Sequence, residues 1–229
     1  MKSKTALLLG ASGLVGGHCL GFLLEEPSYT RVIVLVRKAL PVMHEKLVQY
    51  VVDFDELENL GNCIPVNDVY CCLGTTIKRA GTQEAFRKVD FDYTVKLAAL
   101  AQHCGATQFL LVSSLGADPH SRIFYNRVKG ELEDAIRKMS FTGCHIFRPS
   151  LLVGERKEHR TGEKAAVVLM KVLKPVLIGP LMKYRSIQAR DVAKAMAHTA
   201  QMDLQGVNIF ESPRIQDIAN ENGDRCQTL

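Results

Sequence analysis

The sequence predicts an α/β fold built on a doubly wound parallel sheet, and three observations carry that prediction. Short apolar runs alternate with segments of helical period along the first two thirds of the chain. The runs are almost wholly apolar, Val32-Ile33-Val34-Leu35-Val36 being the clearest, which marks strands covered on both faces. The first run, Thr5 to Leu9, passes directly into Gly10-Ala11-Ser12-Gly13-Leu14-Val15-Gly16 and then into a helix. A strand, a glycine turn and a helix in that order open a Rossmann fold.

The elements follow in order. Leu14, Val15, Cys19, Phe22 and Leu23 recur at helical spacing, so a helix runs from Leu14 to Glu25 and stops before Pro27. Strands are expected at Arg31 to Val36, at Val48 to Val52 (closed by Asp53-Phe54) and at Asp68 to Leu73 (closed by Gly74-Thr75-Thr76). Helices at Thr82 to Val89 and Asp92 to Cys104 lead to a strand at Gln108 to Val112, which ends in Ser113-Ser114. The helix Ile123 to Met139 carries a core stripe of Phe124, Val128, Leu132, Ala135, Ile136 and Met139, and Cys144 to Phe147 is a strand stopped by Arg148-Pro149. Beyond residue 150 the pattern loosens. Glu155 to Lys164 reads as a charged loop, a helix lies around Glu163 to Val172, Asp191 caps a helix reaching Gln201, and Val207 to Phe210 is a last strand. The reading is one domain over residues 1–219, with about 150–219 forming a small C-terminal substrate-pocket region, and a flexible tail at 220–229.

Composition removes several classes of function. The 229 residues are 47% hydrophobic, enough for a sizeable core. The net charge of +5 is spread without a dense Lys/Arg block or interleaved aromatics, so no nucleic acid is expected. The seven cysteines are scattered in apolar runs and read as reduced, small hydrophobes; adjacent Cys71 and Cys72 on a strand point to opposite faces. No cysteine or histidine spacing suggests a metal cluster, and no metal is expected. Met170, Met182, Met196 and Met202 read as core filler. A short, glycine-broken N-terminal stretch is no secretion signal and no run nears about twenty apolar residues, so a soluble, cytoplasmic protein without membrane contact is expected.

Three motifs carry chemistry. The glycines are spaced Gly10-x-x-Gly13-x-x-Gly16: the first for a tight exit, the second for close approach to a pyrophosphate, the third for helix–strand packing. At the end of the second strand, where an acceptor for a free ribose 2′-hydroxyl would stand, the chain places Arg37-Lys38; two cations suit a 2′-phosphate, with Ser12 near enough to assist. NADP(H) is therefore expected over NAD. Asp53 stands either to accept from an adenine amino group or to cap the turn Glu56 to Leu60, and Leu73-Gly74 would line the crevice at the strand ends. Tyr125-x-x-x-Lys129 puts a phenol and an ammonium one turn apart on one helix face, where the charge favours the phenolate and suits Tyr125 to proton exchange. Ser114, or its neighbour Ser113, could hold a carbonyl oxygen.

Taken together, G-A-S-G-L-V-G, C-C-L-G-T-T, S-S-L-G-A-D, Tyr125 to Glu131 and Arg148 to Gly154 resemble the atypical short-chain dehydrogenase/reductases. Within them the chain is similar to the Tat-interacting-protein (HTATIP-type oxidoreductase) group and its bacterial relatives. The resemblance implies that Gly10, Ser12, Gly13, Leu14 and Val15 contact cofactor phosphates and Arg37 with Lys38 the 2′-phosphate. It also implies that Leu73 and Gly74 pack on the adenosine and that Lys129 binds the nicotinamide ribose and tunes Tyr125. Pro149 to Leu152 would flank the nicotinamide, and Arg160 would reach the cofactor or gate the pocket. An asparagine that completes the catalytic group in many of these reductases is not evident near Asp90-Phe91-Asp92. A homodimer through the helices Asp92 to Cys104 and Ile123 to Met139 is implied only by analogy.

Two functions fit. One is an NADPH-dependent reductase passing hydride to a carbonyl-type small molecule, with Tyr125 moving the proton. The other is an NADPH-sensing module with little or no turnover, whose surface near residues 155–190 is read by a protein partner.

Overall fold

The computed structural model describes residues 3–57, 65–154 and 183–221. Its main sheet has seven strands, all paired in parallel: β1 (Lys4–Leu9), β2 (Tyr29–Val36), β3 (Leu47–Val51), β4 (Asp68–Cys71), β5 (Gln108–Val112), β6 (Gly143–Arg148) and a last strand, β9 (Gly206–Glu211). Their spatial order, β3-β2-β1-β4-β5-β6-β9, reverses direction at β1, the switch point beside which doubly wound sheets bind their ligands. A second, two-stranded parallel ladder joins β7 (Leu152–Val153) to β8 (Ile187–Gln188).

Strand periodicity divides the core. Leu8, Val32, Val34, Tyr70, Leu110 and Phe147 face helices α1 (Leu14–Glu25), α6 (Ala189–Thr199) and α7 (Ser212–Asn220). Their strand neighbours Leu7, Leu9, Ile33, Val69, Phe109 and Ile146 face α4 (Tyr93–His103) and α5 (Phe124–Arg137). Both layers are dry, and each fully buried aliphatic side chain contributes about 1.5–3 kcal/mol, so the strand ends that carry the loops are held firmly. Cys71 belongs to one layer and Cys72 packs on the other, as expected for neighbours on a strand.

Departures from the sequence reading have local causes. A short helix that the sequence reading lacked, α2 (Ile77–Ala80), comes first, and the helix expected from Thr82 to Val89 is α3 (Gln83–Arg87) followed by a π-helical turn, Lys88–Asp92. Thr76 and Thr82 each accept a backbone N–H three residues on, starting a new helix each time. The helix expected to be capped by Asp191 begins at Ala189, with Gln188 at the cap; Asp191 sits in the first turn, where its charge suits the helix end, and accepts from Gln216 at 3.1 Å. The sequence reading contained no α7; Pro213 opens it, and Ile215, Ile218 and Ala219 bury one face. Cys104 is disulfide-bonded rather than a free thiol. The loop at Glu155 to Lys164, the helix around Glu163 to Val172 and Arg160 lie outside the described residues.

Candidate active site

The carboxyl ends of β1, β4, β5 and β6 lie along one edge of the sheet and release the glycine turn, Cys72-Leu73-Gly74, Ser113-Ser114 and Arg148-Pro149. The turn admits no side chains where it has glycines. Gly10 is left-handed (φ +82°), and a β-carbon there would stand 2.5 Å from the Cys72 carbonyl oxygen; one on Gly16 would overlap the Gly10 carbonyl oxygen. Gly13 donates its N–H to the Gly10 carbonyl at 2.9 Å and occupies the N-cap of α1, which no side chain caps. The free N–H groups of the first turn and the positive helix end together make a phosphate cradle. Ser12 and Gly13 are exposed there, whereas the Val15 side chain is buried in the core, leaving its backbone N–H for a ligand.

Beside this cradle, Lys129 is 4% exposed and its Nζ lies 2.7 Å from Asp90 Oδ1. Asp90 sits on the π-helical turn and also accepts the Thr75 N–H at 2.8 Å, so one carboxylate ties the loop after β4 to α5. A β-carbon on Gly74 would touch both Asp90 Oδ1 (3.4 Å) and Lys129 Nζ (3.7 Å): the glycine lets the pair reach the crevice. Burial works against the Lys129 ammonium, but Asp90, then Tyr125, outweigh it and hold its proton above the ordinary lysine range. Tyr125, half-buried, stacks on Phe86 with ring centroids 5.5 Å apart. The ammonium that the sequence assigns to Tyr125 is therefore shared with a buried carboxylate.

The two serines differ. Ser113 is buried, donates its hydroxyl to Glu133 Oε1 at 2.5 Å and its N–H to the Phe147 carbonyl at 2.7 Å. Ser114 Oγ is buried and has no hydrogen-bond partner among the described residues. Glu133, 1% exposed, also takes Arg148 Nε and Nη2 (2.9 and 2.5 Å to its two oxygens) and Arg137 Nη2 at 3.4 Å. One carboxylate thus clamps the ends of β5 and β6 to the helix that bears Tyr125 and Lys129. The Arg148 guanidinium is held above its usual range first by that hydrogen bond. Leu115 donates to the Pro149 carbonyl at 2.9 Å, and a β-carbon on Gly154 would press on Leu14, which brings the strand that follows Pro149 against the glycine turn.

Residues 6–210 match the model of the NAD dependent epimerase/dehydratase family. The chain belongs to this family. It is 38% identical over 167 residues to "Protein HTATIP2" of Rattus norvegicus, covering 71% of this chain and 69% of that protein. It is 32% identical over 208 residues to "Protein FMP52, mitochondrial" of Candida albicans, covering 88% and 90%. Among solved structures, human epimerase family protein SDR39U1 with NADPH superposes with a TM-score of 0.60 at 17% identity, over 91% of this chain and 74% of that one. The doubly wound fold and the resemblance to atypical short-chain dehydrogenase/reductases are both upheld. Cytoplasmic residence is not: fungal relatives carry "mitochondrial" in their names. Among the described residues no helix is long and apolar enough to cross a membrane.

For a member of this epimerase/dehydratase family the cradle is well suited to a dinucleotide, since the space a β-carbon would fill at Gly10 and Gly16 is taken by backbone, one at Gly13 would crowd the Gly10 carbonyl oxygen at 3.1 Å, and the N–H groups are left for a pyrophosphate. Arg37 and Lys38 are exposed at the end of β2. Asp53 is exposed and its Oδ1 accepts the Asp55 N–H at 2.9 Å in a local turn, and most of the segment it was expected to cap lies outside the described residues. Leu73 packs on the α4–α5 core layer, Pro149 is buried, and Leu152 begins β7. The sequence reading missed Asp90 and Glu133. Glu133 had a signal, lying four residues past Lys129 and eight past Tyr125 on one helix face. Asp90 had none beyond being a carboxylate between Val89 and Phe91, because its partner is thirty-nine residues away (129 − 90 = 39).

Proposed function

We propose that the protein is an NADPH-dependent reductase acting on a carbonyl-type small molecule. The observation that carries the reading is the buried, unpartnered Ser114 hydroxyl at the end of β5, the strand that leads into the helix bearing Tyr125 and Lys129. Bound NADPH supplies the hydride. Ser114 donates to the substrate oxygen, Tyr125 gives that oxygen its proton, and Lys129 holds the nicotinamide ribose while Asp90 keeps the ammonium in place. Arg37 and Lys38 favour the 2′-phosphate over a bare ribose, and the glycine turn with Leu14 takes the pyrophosphate. Pro149 to Leu152 close the nicotinamide side.

The test is a panel of aldehydes, ketones and conjugated carbonyls followed by loss of NADPH absorbance, with wild type beside Tyr125→Phe. Turnover that falls by at least about a hundredfold in the variant supports the reading, matching the usual contribution of a positioned acid. The second reading, an NADPH sensor read by a protein partner, is favoured by one observation: Asp90 already neutralises Lys129. It gains if no carbonyl class gives Tyr125-dependent oxidation while NADPH still binds.

A further inference from the structure

Directly under the glycine turn three sulfur atoms from three elements converge. Cys19 on α1 places its Sγ 3.8 Å from Cys72 Sγ, at the exit of β4, and 4.0 Å from Met196 Sδ on α6. Cys19 and Met196 are 1% and 0% exposed, in a layer otherwise made of aliphatic and aromatic side chains, while Cys72 is only half-buried and opens a route to solvent. Cys19, Cys72 and Cys71 are all free thiols, but Cys71 faces the other layer and takes no part. Among the described residues no oxygen or nitrogen side chain is hydrogen-bonded to any of the three sulfurs.

The geometry points to a binding site for a soft, thiophilic monovalent ion of the Cu(I) class, held by Cys19, Cys72 and Met196. Three sulfurs in a plane around one ion at bond lengths of about 2.3 Å stand about 4.0 Å from one another, and the two separations from Cys19 match two sides of that triangle. Donor chemistry selects the ion. Thiolate and thioether donors with no oxygen or nitrogen beside them exclude hard cations, and a three-sulfur set lacks the fourth ligand that a structural zinc takes. On binding, the ion replaces the Cys19 and Cys72 protons, which pass to solvent, and the thioether adds a neutral donor. One net negative charge then remains, shared among the three sulfurs. Cys72 also supplies the carbonyl beneath Gly10, so occupation of the site touches the phosphate cradle directly.

The full chain is titrated with Cu(I) under anaerobic conditions against the chromogenic chelator bicinchoninate, after circular dichroism has established that each variant is folded. Wild type withdraws one ion that both Cys19→Ser and Cys72→Ser surrender, each weakening it by at least about tenfold. The volume-conserving Met196→Leu weakens it by less, and Cys144→Ser, in a buried cysteine away from the site, leaves it unchanged. Copper-edge X-ray absorption of the loaded wild type, which needs no variant, is expected to give three sulfur neighbours. Failure of wild type to withdraw copper, equal withdrawal by Cys19→Ser and Cys72→Ser, or two sulfur neighbours instead of three overturns the proposal.

Discussion

Two lysine–aspartate pairs mark the opposite ends of the parallel strands, and they are built differently. At the carboxyl ends, Lys129 and Asp90 are both buried, 4% and 0% exposed at the side chain, 2.7 Å apart and next to a glycine that leaves the crevice open to them. At the amino ends, Asp68 is as deeply buried but its lysine is not: Lys4 is 24% exposed and 3.3 Å away. There the carboxylate relies on phenols. Tyr29 donates to it at 2.7 Å, and since that uses Tyr29's one proton, Tyr70 donates in turn to Tyr29 at 2.9 Å. The polar groups of the amino end are largely spent on one another, though the buried Asp68 Oδ1 has no hydrogen-bond partner among the described residues. Those of the carboxyl end leave a phosphate cradle and a serine hydroxyl without partners, which is what a ligand site requires.

The contrast predicts unequal costs for the same chemical change. Lys129→Met strands a fully buried carboxylate and is expected to cost about 3–5 kcal/mol in urea unfolding, with loss of dinucleotide binding. His145, buried near the amino end of β6 between Gln108 and Asn208, gives the next effect. Burial holds its imidazole down to about 4. Its folded state therefore refuses a proton that the unfolded chain accepts, and stability is lost as pH falls from about 6.5 towards 4, by up to about 3 kcal/mol. A His145→Gln variant that falls off just as steeply over that window would assign the acid loss elsewhere. Lys4→Met, at a half-exposed partner, is expected to cost only about 1 kcal/mol. If it matched Lys129→Met, the two ends would not differ as described.

The smallest effect concerns Asp68 itself. Burial raises its carboxyl above the usual range, against the Tyr29 hydrogen bond and the Lys4 charge. The folded state then keeps a proton that the unfolded chain releases, so this group's contribution to stability falls as pH rises through that interval. Asp68→Asn should accordingly gain on wild type as pH rises above the ordinary carboxylate range, near about 4. Parallel stability curves would contradict that sign.

The same contrast explains what could be read from the sequence. Strands β1, β2, β4, β5 and β6 were legible because both their faces are buried along apolar central runs, and the glycine turn because only glycine fits against the Cys72 and Gly10 carbonyls. Tyr125, Lys129 and Ser114 were legible from spacing on one helix and one strand end. Asp90 was not, since an ion pair between α5 and a π-helical turn depends on where two distant segments pack. Nor was the choice between Ser113 and Ser114, which rests on Glu133 reaching one hydroxyl and not the other. The short helix Ile77–Ala80 escaped because it buries no side chain and its signal is one threonine cap, Thr76.

The central claim is that the open end of the sheet is built for a 2′-phosphorylated dinucleotide. Equilibrium titration of NADPH and NADH onto wild type and Arg37→Asp tests it most directly. NADPH is expected to bind wild type at least about tenfold more tightly than NADH, the worth of one charge-assisted contact, and Arg37→Asp to erase or invert that preference. Equal affinities in wild type, or an unchanged NADPH preference in Arg37→Asp, would contradict it.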